Sequence, residues 1–139
     1  MCDTVYATTG YEQSVSNLSQ LTLATDNVFG NDGGVHQLGT VTGDLTKDGE
    51  HLSHQLFASY LNQLENAGVK CFVLPGNHDV NNPHAVSFSG AATVKVANVS
   101  PDGFKRLYWN YGYAEAFSTD PASLSYAVEP VKDLWVLAL

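Results

Sequence analysis

Four side chains capable of metal or phosphate chemistry fall in two short runs, Gly43-Asp44 and Gly76-Asn77-His78-Asp79. Hydrolysis at phosphorus needs neutralised phosphate oxygens, an activated water and help for the leaving group. Two divalent ions about 3.5–4 Å apart supply the first two together. An aspartate suits such a pair because each carboxylate oxygen can serve one ion, and Asp44 is the candidate bridge. Asn77 offers a neutral amide oxygen that fills a coordination shell without adding negative charge beside an anionic substrate. His78 is then a hydrogen-bond donor or general acid over the phosphate. Glycine before each run lets backbone approach metal or substrate closely. Taken singly, each residue has an ordinary explanation: a turn or helix-capping Asp44, a turn Asn77, a structural His78. The joint pattern carries the functional reading.

For that pattern to make one site, the chain must bring the two runs together. Cys71-Phe72-Val73-Leu74 is an apolar run broken by Pro75-Gly76, the outline of a buried strand emptying into a loop. Residues 38–42 repeat the plan, ending at Gly43. Between them Asp48 is the predicted N-cap of a helix with Glu50 in its first turn. Leu52, Leu56, Phe57, Tyr60, Leu61 and Leu64 give that helix one apolar stripe over about four turns. Gly68 is the expected left-handed stop, and residues 69–74 follow as a strand covered on both faces. Strand, helix, strand in this length is a βαβ unit with parallel strands and a right-handed crossover. Both strands then end at one sheet edge, where ligands of open α/β sheets collect, so Asp44 can meet Asn77 and His78.

The remaining sequence is less sharply patterned. Residues 1–37 are polar and glycine-rich, with strand candidates at 4–7 and 21–25 and no helical stripe. Residues 81–99 read as a long loop, a lid or rim beside the site. Ser100-Pro101-Asp102 opens a helix with Ser as N-cap and Pro at its first position. Phe104, Leu107, Tyr108 and Tyr111 share its buried face, and Gly112 closes it. Residues 124–128 and 134–139 form a predicted hairpin around Pro130 and Lys132-Asp133. Core or solvated roles are expected for His51 and His54, with His54 near the loop, and a solvated one for His84; His36 receives no role. Cys2 and Cys71 make no disulfide framework, and Cys71 reads as a buried small hydrophobe.

Composition bounds these readings. With 139 residues, 44% hydrophobic and 11% aromatic, the chain has the material for one core. Its net charge of −8 argues against sequence-independent nucleic-acid binding. It does not argue against a phosphoester substrate, because a bound dication reverses the local sign. No run approaches the roughly 20 apolar residues of a membrane span, and no signal-peptide pattern opens the chain, so a soluble protein is expected.

Gly43-Asp44 followed by Gly76-Asn77-His78-Asp79 resembles the calcineurin-like metallophosphoesterases, whose signature runs D-x-H, G-D, G-N-H-D/E and then distal histidines. The wider wording Gly43-Asp44-Leu45-Thr46-Lys47-Asp48-Gly49-Glu50, with Ser53-His54 and the stretch from Pro75 to Pro83, is similar to a bacterial phosphohydrolase branch. The resemblance covers residues 38–139. It implies an α/β fold, a metallophosphoesterase-type sandwich with the βαβ unit at its centre, holding two divalent ions (Mn, Fe or Zn). It also implies that Asp44 bridges the metals, Asn77 binds the second, His78 contacts phosphate and Asp79 orients His78. The D-x-H element has its nearest match at Asp26-Asn27-Val28, with valine where the histidine belongs, and Asp26 is the matching metal ligand. Residues 29–37 are too few for the usual crossover helix. The distal histidines would fall after Leu139, where the chain stops inside an apolar run. The expectation is a partial phosphoesterase domain at 38–139 behind an altered segment at 1–37, with an incomplete dinuclear site. The alternative is a non-catalytic remnant of that fold that binds a cation or anion without turnover.

Overall fold

The computed structural model describes residues 24–29, 33–89 and 92–139. Strand β1 (Ala24–Phe29) pairs antiparallel with β2 (Val35–Val41), and β2 pairs parallel with β3 (Val69–Val73). Helix α1 (His51–Asn66) connects the parallel pair and packs on β3. The predicted βαβ unit is therefore present, and Gly68 at φ +93° closes the helix as expected. The predicted strand at 4–7 lies outside the described residues; that at 21–25 overlaps them only where β1 begins.

The start of α1 corrects one expectation. Asp48 is not its N-cap: Glu50 is, without a side-chain cap bond, and no acidic residue stands in the first turn. Gly49, at φ +74°, breaks the chain before the helix, and a carbonyl from elsewhere accepts the first amide, His51 N to Ala97 O at 2.9 Å. The stripe is shifted as well. His54, Phe57 and Leu61 are buried, whereas Leu52 is 70% exposed. Choosing the buried face by hydrophobicity alone passes over a histidine that the core accepts because its polar atoms find partners.

Residues 81–99 are not one long loop. They carry a hairpin, β4 (Val86–Ser89) with β5 (Ala92–Lys95), whose alternating Val86 and Phe88 were the available period-two signal. Val99 N to Gly49 O ties its base to the loop before α1, and Asn81 N to Val99 O joins the two ends of the segment to each other.

Helix α2 (Pro101–Leu107) begins as predicted, the Ser100 hydroxyl accepting from Gly103 N at 3.1 Å. A 3-10 turn at Tyr113–Glu115 leads to β6 (Ser118–Thr119), β7 (Tyr126–Val131) and β8 (Leu134–Ala138), an antiparallel sheet that contains the expected hairpin. The core joins Phe57 and Leu61 of α1 to Cys71 and Val73 of β3, Phe104 of α2, Tyr108, Tyr111 and Val128. Each fully buried aliphatic or aromatic side chain here contributes about 1.5–3 kcal/mol. Buried tyrosines keep their hydroxyls paired: Tyr111 donates to Ala58 O, Tyr113 to Leu124 O and Tyr126 to Val73 O, at 3.0–3.1 Å. Tyr111 and Tyr126 thereby cross between segments distant in sequence. Burial pushes the Cys71 thiol up to about 12, in keeping with a packing role. Among the described residues no helix is long and apolar enough to cross a membrane.

Candidate functional site

Strands β2 and β3 end side by side, and Leu74 N to Val41 O at 2.9 Å carries the parallel ladder one step further. Both chains then turn at glycine. Gly43 has φ +99° and Asp44 φ +52°, two successive left-handed residues that fold the loop back over the sheet edge. A Cβ on Gly43 would overlap the backbone of Gly76 and stand 2.8 Å from the Pro75 carbonyl carbon. A Cβ on Gly76 would in turn overlap the Asp44 backbone nitrogen and carboxylate. Each loop occupies the space that a side chain on the other would need. Asp44 Oδ1 accepts from His78 N at 3.3 Å, so the carboxylate lies against the peptide joining Asn77 to His78.

Asp79 sits beneath this contact, fully buried. Its carboxylate accepts from Leu45 N at 3.1 Å, Thr46 N at 2.9 Å, the Thr46 hydroxyl at 3.0 Å and Gly76 N at 2.7 Å. Three of those donors belong to the Asp44 loop and one to its own. The resemblance assigned Asp79 to orienting His78; the observed bonds run between the loops.

His78 is instead held by the first loop. Its Nδ1 donates to Lys47 O at 2.9 Å and stands 3.5 Å from Asp48 Oδ1, with the ring 48% exposed. That carbonyl accepts the Nδ1 proton, which leaves Nε2 without a hydrogen in the neutral ring. Asp48 also takes Asn82 Nδ2 at 3.3 Å and an ion pair from Lys47. The Lys47 ammonium beside it holds its carboxyl below the usual range. Asn77 is exposed at the head of the turn at 77–79.

His54 backs the site from α1. Its Nε2 meets Asp79 O at 2.8 Å, and its Nδ1 meets the Tyr108 hydroxyl at 2.8 Å. A carbonyl only accepts, so Nε2 carries the proton and Nδ1 receives the Tyr108 hydroxyl proton. Burial holds this imidazole below the ordinary 6.5, partly offset by the bond to Asp79 O. The unfolded chain therefore binds the proton more readily. His54's contribution to stability is complete above pH 6.5 and is lost as pH falls below it toward the folded-state value. Urea midpoints are expected to decline already between pH 6.5 and about 5, before most carboxylates titrate, and His54→Gln to flatten that part of the curve. A wild-type midpoint level over that interval would contradict this.

Asp26 is not brought to this rim. It lies within β1, which runs antiparallel to β2, at the register position opposite Leu38. Leu38 is three residues, about 10 Å, short of the end of β2. At the rim itself Asp44 and Asn77 offer one carboxylate and one neutral amide, oxygen donors suited to Mg²⁺, Ca²⁺ or Mn²⁺. Among the described residues no group of three or more His, Cys, Asp or Glu side chains is placed to hold a metal ion. Asp44 and Asn77 are thus two oxygen donors at the rim, fewer than the donor set that two ions need. His84 is exposed, as expected, and His54 takes the core role.

Asp48, Thr46 and Asn82 are the site residues that sequence reasoning left without a role here. Asp48 and Thr46 stand inside the wording that carried the resemblance, yet only the fold shows which donor each one meets. Comparison with known families finds no family model that matches this chain, and comparison with characterised proteins finds no match either.

Proposed function

We propose that this chain is part of a metal-dependent phosphoester hydrolase, a partial metallophosphoesterase-type sandwich with an incomplete dinuclear site. The observation that supports this is the mutual packing of Gly43-Asp44 and Gly76-Asn77-His78 at the common edge of β2 and β3. Asp44 and Asn77 would hold divalent metal there. A bound pair, whether Mn, Fe or Zn, would neutralise phosphate charge and activate water. His78, with Nδ1 donating to Lys47 O, would need its imidazolium form for Nε2 to donate to a phosphate oxygen or to the leaving group.

A second reading is favoured by the placement of Asp26 and by the lack of a three-ligand group among the described residues. In it the rim binds one cation and turns nothing over. One experiment separates the two: titrate the chain with Mn²⁺ by electron paramagnetic resonance, then assay hydrolysis of an aryl phosphate at saturating metal. Mn²⁺-dependent turnover supports the hydrolase, and binding without turnover supports the second reading. In both, Asp44→Ala is expected to weaken Mn²⁺ binding at least about 100-fold, since even partners behind a metal ligand are worth 10–100-fold. Undiminished binding or activity in that variant would remove Asp44 from the site.

A further inference from the structure

The bonds around Asp79 bear on how the proposed cation site is assembled. Two loops that carry metal ligands can be ordered by the ion itself, or the fold can set their spacing beforehand. In the first case ligand spacing is lost without metal, and binding energy is spent on ordering the chain. We infer that here the fold sets it: Asp79 is a positioning residue that fastens the Asp44 loop to the Asn77-His78 loop in the metal-free protein. The inference rests on the reading of this rim as a cation site, but the fastening is measurable without any ion.

Three observations carry it. The Asp79 carboxylate is fully buried, and four donors are aimed at its two oxygens over 2.7–3.1 Å. Charge-assisted bonds of this kind are roughly twice as strong as neutral ones. The donors come from both loops, so the carboxylate spans the gap as a bound cation otherwise might, with opposite sign and one layer deeper. The fastening is also braced from behind. The Thr46 hydroxyl, while donating to Asp79, accepts from Gly49 N at 2.9 Å, and His54 holds the Asp79 carbonyl from α1. His54 is in turn held by Tyr108. The site's spacing is thereby referred to the core rather than to a ligand. Ordering entropy is spent on folding, and a cation meets donors already in place.

Amide hydrogen exchange on the metal-free chain tests this. Leu45, Thr46 and Gly76 amides are expected to exchange at least about 100-fold slower than their intrinsic rates, as for groups released only by a concerted opening. Thr46→Val removes the hydroxyl but keeps the shape. It is expected to lower protection at Leu45, Thr46 and Gly49 while α1 amides stay slow, and to weaken Mn²⁺ binding if the ion uses this rim. Fast exchange at Leu45, Thr46 and Gly76 that slows only when Mn²⁺ is added would overturn the inference. So would unchanged protection at Leu45, Thr46 and Gly49 in Thr46→Val. A chain with slow amides and no Mn²⁺ binding would instead overturn the proposed function and leave the fastening in place.

Discussion

Alanine is expected to cost about 2–6 kcal/mol of stability at Gly43 and about 1–3 kcal/mol at Gly76, and at either to abolish cation binding at the rim. At Gly43 two penalties add. A non-glycine residue at φ +99° is strained by about 1–3 kcal/mol. Its Cβ also meets Gly76 and Pro75 backbone, and overpacking of that kind costs about 1–3 kcal/mol because peptide planes cannot rotate away as a side chain can. At Gly76 the collision is with the backbone and carboxylate of Asp44, the group proposed above to hold metal. Relief requires the loops to separate, and separation is what the site cannot tolerate. Gly68→Ala is the control: its φ is +93°, yet nothing lies within 4 Å of the added carbon. It should show strain alone and leave Mn²⁺ binding unchanged. Urea denaturation and Mn²⁺ titration of the three variants read both effects. Equal losses in Gly43→Ala, Gly76→Ala and Gly68→Ala would mean that loop contact carries no weight.

The larger loss of stability is expected at Asp79. Alanine there strands the amides of Leu45 and Thr46 in a water-poor interior and that of Gly76 in a part-buried one. An unsatisfied buried donor costs about 1–3 kcal/mol, so the three together cost about 3–9 kcal/mol, comparable to the lower half of the 5–15 kcal/mol that holds a domain folded. Asp79→Ala is expected to be largely unfolded at 25 °C by circular dichroism. Asp79→Asn keeps an oxygen acceptor but turns an NH₂ group toward donors, and is expected to fold with a clearly lower urea midpoint. Asp44→Ala, on an exposed residue of the same loops, should fold nearly as the parent does. If Asp79→Ala and Asp44→Ala unfold at the same urea concentration, the burial of the Asp79 carboxylate has been given the wrong role.

Residues near the site show where sequence reasoning held and where it did not. The parallel pair of strands, the helix between them and the stop at Gly68 follow from apolar runs, helical spacing and one glycine. Those signals are local, and the chain here obeys its local preferences. Asp48 read as a helix cap because Asp at that distance before an apolar stripe usually caps. Its carboxylate instead meets Lys47, Asn82 and His78, and no property of the neighbouring sequence distinguishes those partners from a helix amide. The hairpin at 81–99 was hidden by its small and polar residues, since β5 is exposed along its whole length and has no buried face to pattern it.

His54 and Asp79 make the same point in the core. A histidine among leucines and a carboxylate after Asn77-His78 are legible as residues, not as partners. Their burial depends largely on donors and acceptors supplied from 25 to 54 positions away, Gly76 N being the near exception.

By itself the sequence determined that two glycine-led loops would leave neighbouring parallel strands, because strand and helix periodicity act over a few residues. Only the tertiary structure decided that the loops interlock through Gly43 and Gly76, that Asp79 fastens them, and that Asp26 stands apart on an antiparallel strand. Hydrogen bonds and close packing across such separations depend on where the whole chain goes, and no stretch of residues carries that information alone.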